Sequence, residues 1–192
     1  MKEILAVTSR NLCTGDFQQQ LKRLAQSGVA AIVLREKDLS EDTYLHLAKQ
    51  CVRTLEPFSV PLVISHRVNA ARQLQIKQIQ VSWPVFQQNY QNLQEFSRVL
   101  VSVHCVEEAV QAVEWGAHGL IAGHIFATDC KRGSAPRGLA FLQQICDAVN
   151  IPVYAIGGIN VQTYPELQCS KAAGVCVMSY AMKQDVFFWE NG

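Results

Sequence analysis

The chain has 192 residues, 49% of them hydrophobic and 17% charged, with a formal net charge of +1. That balance fits one domain over residues 1–192 with a buried core, and it leaves neither a basic surface for nucleic acid nor an acidic tail. No apolar stretch approaches the roughly 18 residues needed to cross a bilayer, so a cytoplasmic protein with no membrane partner is expected. The opening run MKEILAVTSR is broken by Thr8, Ser9 and Arg10 and reads as a first strand, not an export signal. Seven cysteines, at 13, 51, 105, 130, 146, 169 and 176, lie scattered without a CxxC pair or zinc spacing, as reduced thiols do.

In chain order, β-branched runs recur at 4–9, 30–35, 61–65, 78–82, 99–103, 119–123, 152–156 and 173–179. Each is short enough for a buried strand. Between them, residues 16–28, 40–55, 105–116 and 135–149 repeat apolar side chains at helical spacing. Ser40, followed by Glu41 and Asp42, has the chemistry of a helix N-cap, and Gly28 and Gly116 are placed to close helices. Eight strand–helix repeats without a linker predict an α/β fold, a single (β/α)₈ TIM barrel, in preference to a doubly wound sheet.

A barrel of this kind collects its chemistry at the carboxyl ends of its strands. There the sequence gathers Thr8-Ser9-Arg10, Arg35-Glu36-Lys37, Ser65-His66-Arg67, Ser82-Trp83, Ser102 with His104, His124, Gly157-Gly158 and Ser179. After the sixth strand comes a polar loop with Thr128, Asp129, Lys131 and Arg132. Gly157 and Gly158, ahead of a helix expected near Asn160, offer bare N–H groups to a phosphate, and Ser179 on the adjacent loop can add its hydroxyl. Arg35 and Lys37 can hold an anion, or form a rim salt bridge instead. His124 has the titration range for acid–base work, while a structural imidazole remains the plainer alternative. His104 reads as bonded to its next turn, and His46 and His118 as structural.

Four motifs, LREKDLS (34–40), SVHCVEEAVQA (102–112), GHIFATDCKRG (123–133) and IPVYAIGGIN (151–160), resemble the thiamine phosphate synthase and TenI family over nearly the whole chain. In that family the synthases join a pyrimidine pyrophosphate to a thiazole phosphate at a magnesium site built from aspartates after the third and fourth strands. Here Ser65-His66, Asn69 and Ser82-Trp83 stand at those positions, and Val33 replaces a glutamine. Thr128 and Lys131 resemble the synthases' pyrophosphate contacts. His124 stands where the synthases have proline and resembles the TenI-type catalytic histidine. The resemblance therefore implies an isomerase, a thiazole tautomerase with His124 as its proton-transfer group, no metal or organic cofactor, and a homodimer.

Within that reading the substrate is a small phosphorylated thiazole bound by Arg35, Lys37, Ser102, Thr128, Lys131, Gly157, Gly158 and Ser179. The alternatives are thiamine phosphate synthase activity and a non-catalytic barrel that binds a thiazole phosphate. A dimer contact is expected at Phe187, Phe188 and Trp189.

Overall fold

The computed structural model describes residues 2–131 and 133–183. Strand β2, Ala31–Leu34, shows why the predicted runs are so apolar: all four residues are buried. Ile32 and Leu34 face the surrounding helices, whereas Ala31 and Val33 face the barrel interior. A strand covered on both sides has no polar face to alternate with.

The other strands are β1 (Glu3–Val7), β3 (Leu62–Ser65), β4 (Gln78–Ser82), β5 (Arg98–Val103), β6 (Gly119–Gly123), β7 (Val153–Ile156) and β8 (Gly174–Val177). All eight pair in parallel in sequence order, and β1 closes the barrel on β8 through Leu5 opposite Cys176 and Ala6 opposite Val177. The structure is the predicted (β/α)₈ barrel, with strand limits within about two residues of those read from the sequence.

Helices α1 (Phe17–Gln26), α2 (Glu41–Leu55), α3 (Val68–Gln73), α4 (Trp83–Leu93), α5 (Val106–Glu114), α6 (Gly138–Ala148), α7 (Tyr164–Gln168) and α8 (Ser179–Lys183) alternate with the strands. Ser40 caps α2 as expected, its hydroxyl accepting the Thr43 N–H at 3.3 Å. Asp16 does the same for α1 from Gln19 at 2.8 Å. The helix expected near Asn160 starts instead at Tyr164. Asn160 Oδ1 accepts the N–H groups of Gln162 and Thr163 at 2.8 and 3.2 Å, which holds a turn where a helix would otherwise begin.

The barrel interior is filled by Leu5, Val7, Val33, Val63, Leu100, Ile121, Tyr154 and Cys176. At its amino end the Arg98 guanidinium donates to the Tyr154 hydroxyl at 2.6 Å, and that hydroxyl donates to Glu3 at 2.6 Å. Packing and this chain seal one end and leave the other to the loops. Among the described residues no helix is long and apolar enough to cross a membrane. Arg132 and the aromatic positions Phe187, Phe188 and Trp189 lie outside the described residues.

Candidate active site

The carboxyl ends of the strands surround a cavity of about 660 Å³. Strand alternation carries past the end of β2, so Arg35 and Lys37 line this cavity while Glu36 turns away from it. Glu36 is buried, where it accepts the Thr8 hydroxyl at 2.7 Å and the Arg10 N–H at 3.0 Å. Thr8 in turn accepts the Arg35 N–H at 3.0 Å. The polar end of β1 is thus a brace for the β2 loop, and it sets the backbone from which Arg35 projects.

Arg35 Nη1 lies 3.8 Å from the Met178 sulfur. Among the described residues neither Arg35, Lys37 nor Lys131 has a carboxylate partner. Lys131 reaches the cavity from the 3₁₀ turn Asp129–Lys131. The Arg35 charge, followed by burial and the Lys131 charge, holds the Lys37 ammonium below its ordinary pKa. Three cations line one cavity with no carboxylate partner of their own among the described residues, an arrangement suited to an external anion.

The loops after β6, β7 and β8 complete the wall. Gly157 has φ +102°, and a Cβ there would lie 2.4 Å from the His124 Cβ. Gly158 has φ +67°, and its Cβ would lie 2.4 Å from the Ala127 carbonyl oxygen. Glycine is required at both positions for its backbone and for its lack of a side chain. Neither N–H meets a protein acceptor among the described residues, so both remain available beside Ser179, Thr128 and the cavity. Because α7 begins at Tyr164 and has five residues, these amides act without a helix terminus behind them.

His124 is buried and lines the cavity. Its Nε2 lies 3.3 Å from the Ser134 carbonyl oxygen, which can only accept, so Nε2 carries the proton. In the neutral imidazole Nδ1 is then a lone-pair acceptor, buried and without a hydrogen-bond partner among the described residues. All nine residues proposed from the sequence, His124, Arg35, Lys37, Ser102, Thr128, Lys131, Gly157, Gly158 and Ser179, line this one cavity.

Sequence reasoning did not single out Gln80, which is buried on the cavity floor. Its signal was the one amide between Ile79 and Val81, at an inward position of β4. Gln80 Nε2 donates to Ser102 Oγ and to the Val81 carbonyl, both at 3.0 Å, and its Oε1 accepts the Ser65 hydroxyl at 2.7 Å. Ser65 meets His66 Nδ1 at 2.9 Å, and the Ser82 N–H donates to His66 Nε2 at 3.1 Å. Burial, followed by the charges of Lys37, Arg35 and Arg67, pushes the His66 pKa down to about 4. His66 is therefore neutral near pH 7.

His104 also lines the cavity, but Glu108 Oε2 on the next turn accepts its backbone N–H at 2.6 Å. His118 Nδ1 accepts the Val99 N–H at 3.2 Å, and His46 pairs with Gln50 at 3.1 Å.

The magnesium site implied by the resemblance can be tested against these side chains. The ends of β3 and β4 supply hydroxyls, an imidazole and a carboxamide, and Asn69 is exposed on α3. Asp129 is the one carboxylate among the described cavity-lining residues. Among the described residues no group of three or more His, Cys, Asp or Glu side chains could hold a metal ion. Magnesium is bound through carboxylate and other hard oxygen ligands, so the donor set does not fit it.

Fold and site together define a (β/α)₈ barrel with a cation-rich ligand cavity at the carboxyl ends of its strands. Residues 4–181 match the family described as thiamine monophosphate synthase (TMP-TENI), and the chain belongs to that family. It is 30% identical over 184 residues to a thiamine-phosphate synthase of Clostridium tetani, covering 94% of this chain and 88% of that protein. It is also 30% identical over 188 residues to that of Caldanaerobacter subterraneus, covering 95% and 87%. The solved thiamine phosphate pyrophosphorylase from Pyrococcus furiosus superposes with a TM-score of 0.82 at 25% identity, over 95% of this chain and 88% of that one.

These relatives correct the expectation of an isomerase, since they are named as synthases, which are transferases. That expectation rested on His124 together with Ser65-His66, Asn69 and Ser82-Trp83 in place of metal-binding aspartates and Val33 in place of a glutamine.

Proposed function

We propose that this chain joins two phosphorylated heterocycles with loss of pyrophosphate, the thiamine phosphate synthase reaction. The observation that carries this reading is the set of two different anion-binding groups in one cavity. Arg35, Lys37 and Lys131 form a cationic cluster without a carboxylate partner among the described residues, suited to a pyrophosphate. The free amides of Gly157 and Gly158, with Ser179, suit a monophosphate. A single monophosphate would leave one of the two without an anion.

In the condensation the carbon–oxygen bond to pyrophosphate breaks, its electron pair leaves with the pyrophosphate oxygen, and the thiazole ring nitrogen bonds to that carbon. The ring nitrogen attacks through a lone pair and carries no proton, so the step needs no base. The demand is for alignment and for charge stabilisation on the leaving group, which the three cations supply from fixed positions. His124 stands on the cavity wall with its Nδ1 buried, and this step asks no proton transfer of it. The apolar part of the lining, including Val33 and Ile121, excludes water from the reacting carbon.

The test combines a pyrimidine methyl pyrophosphate and a thiazole ethyl phosphate with the protein and follows release of pyrophosphate and formation of thiamine phosphate. Stoichiometric appearance of both products supports the reading. Binding of both compounds by calorimetry without any pyrophosphate release overturns it in favour of a non-catalytic binding barrel.

A further inference from the structure

The floor of the cavity is a hydrogen-bond relay whose direction is fixed at both ends by backbone groups. At one end, the Ser82 N–H can only donate, which makes His66 Nε2 an acceptor. Because His66 is neutral, its proton sits on Nδ1 and is donated to Ser65 Oγ. The Ser65 hydroxyl donates to Gln80 Oε1. At the other end the Val81 carbonyl can only accept, which fixes the Gln80 amide with its NH₂ toward Val81 and Ser102. Ser102 Oγ therefore receives a hydrogen bond from Gln80, and its own O–H has no acceptor among the described residues. The hydroxyl is left as a donor on the cavity wall.

We infer that the cavity takes a diphosphate-bearing ligand without a divalent cation: Arg35, Lys37 and Lys131 meet its charge, and the Ser102 hydroxyl, directed by His66, Ser65 and Gln80, donates to one of its oxygens. A cation at this floor would meet no carboxylate cluster among the described residues and would face the Arg35 and Lys37 charges, an arrangement that repels it. The same groups attract an anion. Ser102 is the contacting residue; His66, Ser65 and Gln80 are positioning residues that act through it. The inference draws on the proposed reaction only for the identity of the diphosphate.

The test is calorimetric titration of the full chain with inorganic pyrophosphate, once with EDTA and once with excess magnesium. Binding in EDTA that magnesium does not strengthen is the expected result. Arg35→Gln and Ser102→Ala should each weaken binding in EDTA by about tenfold, the loss of one charge-assisted hydrogen bond.

Gln80→Glu tests the relay. A carboxylate there cannot donate to Ser102, which must turn its hydroxyl inward. Pyrophosphate binding should fall about tenfold in EDTA and be partly restored by magnesium, a gain that a merely unstable variant would not show. Thermal melts of each variant establish that it is folded. Wild-type binding that requires magnesium, or no pyrophosphate binding in either buffer, overturns the inference. Chelator-resistant binding in a protein that makes no thiamine phosphate would sustain the inference while rejecting the proposed reaction.

Discussion

Replacing Gly157 by alanine separates two reasons for glycine. At φ +102° a non-glycine residue carries about 1–2 kcal/mol of backbone strain. The added Cβ would lie 2.4 Å from the His124 Cβ, far inside the ordinary carbon–carbon separation of about 3.5–4.0 Å. Forcing that overlap apart adds about 1–3 kcal/mol, by the general cost of overpacking. The total, about 2–5 kcal/mol, corresponds to a melting point lower by about 4–20 °C at this chain length. Gly28→Ala is the control, because Gly28 has φ +80° with nothing within 4 Å of its would-be Cβ. It carries the strain alone, about 1–2 kcal/mol, or about 2–8 °C. Differential scanning fluorimetry and urea titration of both variants measure the contact as the difference between them. Equal shifts in the two would refute the close approach of the β7 loop to His124.

His66 gives a pH dependence whose sign is fixed by its low folded pKa. Between the unfolded value of 6.5 and the folded value of about 4, the unfolded chain binds a proton that the folded chain does not. The His66 contribution to stability is therefore full above pH 6.5 and is lost as pH falls toward 4. His66→Asn, a residue that tolerates the φ of +65°, should flatten this slope in melts between pH 7 and 4.5; an unchanged slope would point to other groups. Tyr44→Phe removes a hydroxyl that donates to the Leu34 carbonyl at 2.6 Å in the core, and chemical denaturation should show a loss of about 1–3 kcal/mol. His124→Phe should lower kcat/KM by no more than about tenfold if His124 only lines the cavity. A loss beyond about 10²-fold would instead mark a proton-transfer role.

The fold was legible because β2, β3 and β8 are buried on both faces, so that each announces itself as a short apolar run. The site was legible wherever a loop residue's chemistry is independent of its neighbours, as with Arg35, Lys37, Gly157 and Gly158. Partnership was not. Glu36 sits between two cavity residues yet serves Thr8 and Arg10, a choice made by strand alternation at the end of β2. Gln80 lies 22 residues from Ser102 in sequence, and the register of β4 on β5 brings them together. The helix expected near Asn160 failed for a local reason: the Asn160 side chain competes for the amides that a helix would leave to its first turn.

The relation between His124 and the cation cluster bears on how one barrel could change its chemistry. A single imidazole at the end of β6 suggested proton transfer, but a reaction is set by the charge that its transition state develops. Pyrophosphate departure places negative charge on oxygen, and three fixed cations lower that barrier more directly than a base can. Where a divalent ion does this, the site must also keep carboxylates, and these repel the substrate until the ion binds. A cavity with Arg35, Lys37 and Lys131 and a neutral floor at His66, Gln80 and Ser102 avoids that conflict, because its field favours the anion before any other component arrives. The neutrality of His66 matters here. Bracketed between Ser65 and the Ser82 N–H, it accepts at one nitrogen and donates at the other, and only the neutral imidazole can do both.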